Sequence, residues 1–325
     1  MFTTRITALL KIRYPILMGA MHYITDANMV AAAANAGCMG FIPAASYSDP
    51  EQLIQELKKA RGLTDGPIGL NISMLPGADS GALTGEFVEA GIEAGVGAFE
   101  SAGRSPDHLV GRIKQVKIPL IHKVPRVRHA LRAQSVGADA VTILGFEGGG
   151  FIGQGDVASF VLVNRAVRSL SVPVIAGGGV ADGAGLVAML ALGAEGVLMG
   201  TRFLAAKEAS IPDRLKQWIV DATENDTTVL FKSLGTPVRS MRNEGARMFA
   251  AMEADGATMA QILSFAGERI GAHGARAFSP DDMLFSVGQD VGLIRDVKTI
   301  REIVDEIVHE AGTVLGRLNS IIRES

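Results

Sequence analysis

Eight short apolar runs recur along the first 200 residues, each followed by a stretch of helical pattern, and nothing else in the chain restricts its fold so strongly. The runs are "PILMG" (15–19), "CMGFI" (38–42), "PIGLNI" (67–72), "VGAFE" (96–100), "IPLIHK" (118–123), "DAVTILG" (139–145), "PVIAGG" (173–178) and "GVLMG" (196–200). Between them lie helical stretches such as "DANMVAAAANAG", "PEQLIQELKKARGL", "RVRHALRAQSVG" and "DGAGLVAMLALGA". Strands that alternate with helices are joined by right-handed crossovers into a parallel sheet. Eight such units in roughly 200 residues fit an α/β fold of the (β/α)8 TIM-barrel type. A doubly wound open sheet is the competitor. The barrel is preferred because eight similar units need no reversal of strand order.

Beyond Phe203 the pattern changes to helices: "PDRLKQWIVDAT", "VRSMRNEGARMFAAMEADG", "MAQILSFAGE", and a tail "DVKTIREIVDEIVHEAGTVLGRLNSIIRE" that reads as one long amphipathic helix or two. Three segments are therefore expected: a barrel over 1–205, a smaller helical lid domain over 206–284, and C-terminal helices over 285–325 packing back on the body. A chain of 325 residues with 48% hydrophobic residues can bury a core of that size. The net charge of −3 and the few aromatics argue against a nucleic-acid partner. The single cysteine, Cys38, excludes an internal disulfide and a cysteine metal cluster, and suits a reducing compartment. The opening "MFTTRITALLKIRYP" lacks the apolar run of a signal peptide, so a cytoplasmic location is expected. Ala27 to Ser48 is uncharged and long enough for a bilayer span, but Asn35, Gly37, Gly40 and Pro43 interrupt it. A helix, a tight turn and a buried strand are expected there, with no membrane partner.

In such a barrel the chemistry sits at the C-terminal ends of the strands. "AGGGVADG" follows the seventh run and "MGTRFL" the eighth, and loops at these two places recurrently bind phosphate. Their glycines let backbone N–H groups close on an anion, and Thr201 adds a hydroxyl. The alternative for a lone "GGG" is an ordinary turn. Asn71 and Lys123 close two apolar runs with polar ends directed at the mouth, and suggest a flavin. A lysine there places positive charge beside a ring that gains negative charge on reduction, and an asparagine suits a ring edge that both donates and accepts. The alternative for Lys123 is a strand-end side chain snorkelling to solvent. His122 faces the opposite way and reads as a supporting or core residue.

"PILMGAM", "GLNISMLP", "LIHKVPRVRHALRAQSVGADAV", "GFEGGG", "PVIAGGGVADGAGLVAMLALGAEGVLMGTRFLA" and "RSMRN" together resemble the nitronate monooxygenase family, formerly 2-nitropropane dioxygenase, nearest to its NAD(P)H:quinone reductase-like branch. The resemblance runs from about residue 5 to residue 310. It implies an FMN-containing (β/α)8 barrel with a helical second domain, electron transfer through the flavin N5, and NAD(P)H as electron donor. By motif position, Gly19, Ala20, Met21, Asn71 and Lys123 would surround the isoalloxazine. Gly149, Gly150, Gly178, Gly179, Gly200 and Thr201 would hold the ribityl phosphate side. Pro76 would fall on a loop that gates nicotinamide access.

One stretch departs from the family. The Gly-rich loop "GFEGGGFIGQGD", residues 145–156, carries Phe151 where the family usually has a histidine. A phenyl ring can neither shuttle a proton nor hydrogen-bond a nitro group. Phe151 is thus the expected specificity position, the alternative being a packing residue turned away from the site. His22 and Glu147 are the other candidates for supplying a proton.

The leading expectation is an FMN oxidoreductase passing electrons from NAD(P)H to a quinone-like or other conjugated small molecule. Nitronate oxidation, reduction or isomerisation of an enoyl thioester, and flavin binding without turnover are the competing readings. If the chain associates at all, the expected oligomer is a homodimer.

Overall fold

Alternate side chains of a strand point to opposite faces. In the computed structural model of the chain, which describes residues 2–74, 82–153, 155–270 and 279–321, one set fills a closed barrel and the other meets the surrounding helices. The strands are β1 (Ile16–Met18), β2 (Met39–Pro43), β3 (Gly69–Met74), β4 (Ala98–Gly103), β5 (Leu120–Val124) and β6 (Ala140–Leu144). A two-residue strand β7 (Gly150–Phe151) belongs to a second sheet, and β8 (Val174–Gly177) and β9 (Gly196–Met199) complete the barrel. The order is β1-β2-β3-β4-β5-β6-β8-β9, all parallel, and β9 closes onto β1 with Leu17 opposite Leu198. Each of the eight expected runs forms one of these strands, and the open-sheet alternative is set aside.

Leu17, Met39, Phe41, Ala98, Ile121, Ala140, Ile175 and Leu198 form one apolar cluster inside the barrel. Ile6 and Leu10 of the helix Arg5–Leu10 join it and plug the N-terminal end. The Thr4–Thr7 capping box starts that helix, and Lys11 ends it in the left-handed region at φ 57°. Ile16, Met18, Leu70, Phe99, Val141, Ile143 and Val197 face outward into the larger cluster beneath the helices. With the lower interior filled by hydrocarbon, polar side chains are left to the C-terminal end, where the loops converge.

The segment between the barrel and the C-terminal helix differs from the all-helical expectation. It contains β10 (Thr227–Leu230) and β11 (Val238–Met241), which form an antiparallel sheet in the order β10-β11-β7. Four-residue strands are too short to display alternation. The third strand comes from the barrel's β6 loop, with Phe151 opposite Val238. "VRSM", read as the start of a helix, is β11, and the helix begins at Glu244, where Asn243 Oδ1 caps it by accepting from Ala246 N. Leu230, Phe231, Phe249, Ile262, Ala266 and Leu284 give this cap its own small core.

The expected boundary at 285 needs a second correction. Residues 285–290 are no part of the C-terminal helix: Phe285 and Ser286 line the cavity described below, and Gln289 N donates to Glu147 O at 2.8 Å. The tail itself is one helix, Ile300–Ile321, lying against Gly183–Ala191. The contact is so close that a Cβ on Gly183 would stand 2.4 Å from Ile307 O, and Gly183 N donates to Glu310 Oε2 at 2.8 Å. Among the described residues no helix is long and apolar enough to cross a membrane, and no group of three or more His, Cys, Asp or Glu is arranged to hold a metal ion. Cys38 is buried, and burial pushes its thiol well above the ordinary range.

The barrel interior makes a direct demand on Gly69. A Cβ there would lie 2.3 Å from Phe41 Cδ1. Gly69→Ala is therefore expected to destabilise the protein by about 1–3 kcal/mol through overpacking, read as a lower denaturation midpoint. Unchanged stability would show that Phe41 is free to move aside.

Candidate functional site

The C-terminal end of the barrel opens into a cavity of about 580 Å³, within the roughly 300–1,000 Å³ typical of cofactor and ligand sites. Asn71, Lys123 and the buried Glu100 make a polar floor beneath it. Glu100 is fully buried on β4, and its Oε2 accepts from Asn71 Nδ2 at 2.5 Å and from Lys123 Nζ at 2.9 Å. Asn71 and Lys123 both line the cavity, as expected. The lysine does not snorkel, nor is it a lone positive charge: its ammonium is paired with a carboxylate that no solvent reaches. Glu100 is legible in the sequence as one of the residues that end the apolar runs at the mouth, but nothing in the sequence gives it a role among them. Among the described residues, Glu100 Oε1 and Thr142 Oγ1 are buried without a hydrogen-bond partner.

One wall is built by glycine loops after β6, β8 and β9. Gly148, Gly149, Gly150, Gly178, Gly200 and Thr201 all line the cavity. Gly178 and Gly179 have φ of 89° and 76°, the left-handed region that side-chain-bearing residues avoid. A Cβ on Gly149 would sit 2.6 Å from Val287 C, and one on Gly178 3.0 Å from Gly148 N. The loops therefore touch backbone to backbone, which aims several N–H dipoles at one place. Ser159 holds two of these loops together, its single hydroxyl proton shared between Gly178 O at 2.9 Å and Glu147 Oε2 at 3.1 Å. Glu147, considered above as a proton source, instead accepts from Ser159 N through both oxygens, at 3.0 and 2.9 Å, ahead of the helix Ser159–Val167. Its role is to shape the loop.

Thr201 carries a residue that sequence reading missed. Its hydroxyl accepts from Gly288 N at 2.9 Å and donates to Asp290 Oδ1 at 3.1 Å, so it is already committed within the protein. Asp290 lines the cavity and is buried, and burial pushes its carboxyl up to about 7, outweighing the Thr201 hydrogen bond that favours the charged form. Asp290 lies 89 residues beyond Thr201 in the chain, so no local motif links them.

Gly19, Ala20, Met21 and His22 follow β1 and all line the cavity. Gly19 N donates to Met199 O at 2.9 Å and Met21 N to Thr25 Oγ1 at 3.0 Å, which fixes the turn. His22 is exposed at the rim and stacks on Tyr23, with ring centroids 4.5 Å apart. Phe151 is among the residues that line the cavity. His122 faces outward as expected, with Nδ1 2.8 Å from Ser101 Oγ, and burial lowers its pKa to about 4. Arg239 fastens the β6 loop to the cap: Nε and Nη2 donate to Phe146 O at 3.1 and 2.9 Å, and Nη1 to Thr227 Oγ1 at 3.0 Å. Pro76 lies outside the described residues.

The residues present fit a flavin mononucleotide. The glycine wall suits a phosphate, the Asn71–Lys123 floor suits a polar ring edge, and Leu198, Met199 and Phe151 supply apolar surface. The raised pKa of Asp290 reduces the repulsion that an ordinary carboxylate would exert on an anion there.

Comparison with known proteins agrees with this geometry. The family model described as nitronate monooxygenase matches residues 3–310. The chain is 31% identical to (3aS,4S,5R,7aS)-5-hydroxy-7a-methyl-1-oxo-octahydro-1H-indene-4-carboxyl-CoA dehydrogenase of Mycobacterium tuberculosis, over 98% of this chain and 99% of that protein. It is 30% identical to a probable nitronate monooxygenase of Staphylococcus saprophyticus, over 74% of this chain and 79% of that one. Among solved structures, FabK from Thermotoga maritima superposes with a TM-score of 0.91 at 34% identity, covering 99% of this chain and 100% of that one.

Two outcomes are expected from the site's electrostatics. Lys123→Met leaves Glu100 buried beside Asn71 alone, and breaking such a pair costs about 3–5 kcal/mol. The double variant Glu100→Gln, Lys123→Met should recover most of the loss in urea unfolding, and failure to recover would mean that Lys123 contributes by packing. For Asp290 the folded-state pKa lies above its unfolded value of 3.8. The stability it contributes is present below pH about 4 and is lost as pH rises through about 7. Asp290→Asn should therefore gain stability relative to the unaltered protein between pH 4 and 8, measured as the difference in Tm. A difference that does not change with pH would count against a buried titrating carboxyl.

Proposed function

The chain belongs to the nitronate monooxygenase family, and on that footing we propose that it is an FMN-dependent oxidoreductase that carries reducing equivalents from NAD(P)H to a flat conjugated acceptor, quinone-like or an α,β-unsaturated thioester. Bound FMN supplies the two-electron relay between the nicotinamide and the acceptor. The observation that carries the choice of acceptor is Phe151, which lines the cavity on the glycine loop and offers an apolar face in place of a base. The carboxylates of Glu100 and Glu147 are engaged beneath the floor and behind the loop, and His22 stands exposed at the rim. Reduction of a conjugated acceptor needs no enzymic base, since hydride comes from the donor by way of the flavin and solvent supplies the one proton that completes the reduced acceptor. The similarity over nearly the full length to a protein named as a carboxyl-CoA dehydrogenase supports a coenzyme A thioester as the small molecule that exchanges hydride at this site.

The protein's own groups divide the work. The glycine wall binds the phosphate end through backbone N–H groups. Asn71 and Lys123 orient the ring edge, and Glu100 holds both of them in place. Val238, paired with Phe151 across β7 and β11, ties the acceptor side to the cap, so binding there senses the cap's position.

Phe151→His tests the proposal. The unaltered protein should oxidise NADH or NADPH anaerobically with benzoquinone or crotonyl-CoA, and should turn over neutral nitroethane poorly. Taking a proton from carbon requires a positioned base, worth about 10²–10⁴-fold. The variant should gain activity on neutral nitroethane and lose it on the conjugated acceptors, at equal FMN content. Efficient oxygen uptake by the unaltered protein with pre-formed ethyl nitronate, without NAD(P)H oxidation, would favour nitronate oxidation instead.

A further inference from the structure

The cavity is electrically lopsided in a way the reaction above does not use. The chain as a whole has 31 Lys and Arg against 34 Asp and Glu. Among the described residues lining the cavity, Lys123, Arg104, Arg126 and Arg128 stand against a single carboxylate, Asp290, and Lys123 is already paired below. Arg104 follows β4, and Arg126 and Arg128 stand at the start of the helix Val127–Val136 that follows β5. None of these three arginines has an ion-pair partner among the described residues. Asp107, which stands close to Arg104 in the chain, is taken by Arg132 and Ser105. Arg126 extends toward the β6 loop, with Nε 3.8 Å from where a Cβ of Gly155 would stand. Among the described residues, Arg128 donates to His129 Nε2, at 3.2 Å. The nearness of Arg128 and Arg126 adds to burial in pushing His129 below its ordinary pKa.

Like charges repel, and a fold that gathers them at the mouth of a cavity gains from it only when an anion enters. Three guanidinium forks spread over two loops exceed what one carboxylate can satisfy, whereas a polyphosphate offers several oxygens to bidentate pairing. We propose that Arg104, Arg126 and Arg128 form a phosphate-reading rim that holds the adenosine phosphate tail of a ligand whose reactive end lies inside the cavity. This rests on reading the cavity as the oxidoreductase site. Two sources share the chemistry: a nicotinamide donor with a 2′-phosphate, and a thioester acceptor on coenzyme A with a 3′-phosphate.

Binding measurements test the rim without turnover. FMN-loaded protein is titrated calorimetrically with adenosine 2′,5′-bisphosphate, adenosine 3′,5′-bisphosphate and plain adenosine. At least one bisphosphate should bind, adenosine should bind far more weakly, and added salt should weaken the bisphosphate. Arg126→Ala with Arg128→Ala should weaken that bisphosphate by about tenfold or more, and the corresponding lysine pair should restore part of the loss. Arg132→Ala, on the same helix but already paired with Asp107, should bind as the unaltered protein does. A preference for the 2′,5′ probe assigns the rim to the donor, and the NADPH-to-NADH ratio of kcat/KM should then fall in the double alanine variant. A preference for the 3′,5′ probe assigns it to the acceptor, and KM should then rise for crotonyl-CoA but not for crotonyl-pantetheine. The proposal is overturned if adenosine binds as tightly as both bisphosphates, or if the double alanine variant binds them as tightly as the unaltered protein. Tight, arginine-dependent probe binding without any redox turnover would leave the rim standing and overturn the reaction instead.

Discussion

Closure of the sheet, β9 onto β1, is the constraint on which everything else rests. A closed eight-stranded barrel has an interior just wide enough for side chains to fill it. Here the N-terminal helix and a stack of Leu, Ile, Met and Phe occupy the lower part so fully that Gly69 must lack a side chain beside Phe41. Polar side chains on inward positions are pushed to the upper end. The Asn71–Glu100–Lys123 group follows from that geometry, because β3, β4 and β5 are neighbours in the barrel and their inward polar residues meet side by side beneath the cavity.

The loop after β6 is where the barrel and the cap become one structure. Its glycines pack backbone to backbone with the β8 loop and with Val287, its Gly150 and Phe151 form the third strand of the cap sheet, and Arg239 grips it through Phe146 O. Residue 151 therefore joins the cavity wall to the cap. On the proposed function, a change at this position alters what the cavity accepts and leaves the glycine wall in place.

Much of the candidate site is legible in the sequence. Gly178, Gly200, Asn71 and Lys123, which line the cavity, stand out because a parallel barrel puts its chemistry at strand ends, and strand ends can be found from apolar runs, whereas Gly179, read with them, is not among the lining residues. Glu100 and Asp290 did not stand out. The first differs from any strand-end carboxylate only through burial, and the second reaches Thr201 across 89 residues. Glu147 misled for a related reason: a carboxylate in a glycine loop looks free, whereas it holds the start of the next helix through Ser159. The cap strands escaped notice because four residues carry too little periodicity and their third partner lies in the barrel.

By itself the sequence determined the barrel, the positions of its eight strands and the glycine wall. Each of these follows from local periodicity and from which residues tolerate left-handed or crowded backbone. Only the tertiary structure decided that Lys123 is neutralised by Glu100, that Asp290 is buried with a raised pKa, and that three arginines without an ion-pair partner among the described residues gather at one mouth. Burial, ion pairing and net local charge depend on which distant segments meet, and that meeting is set by the closure of the barrel and the return of the chain over it.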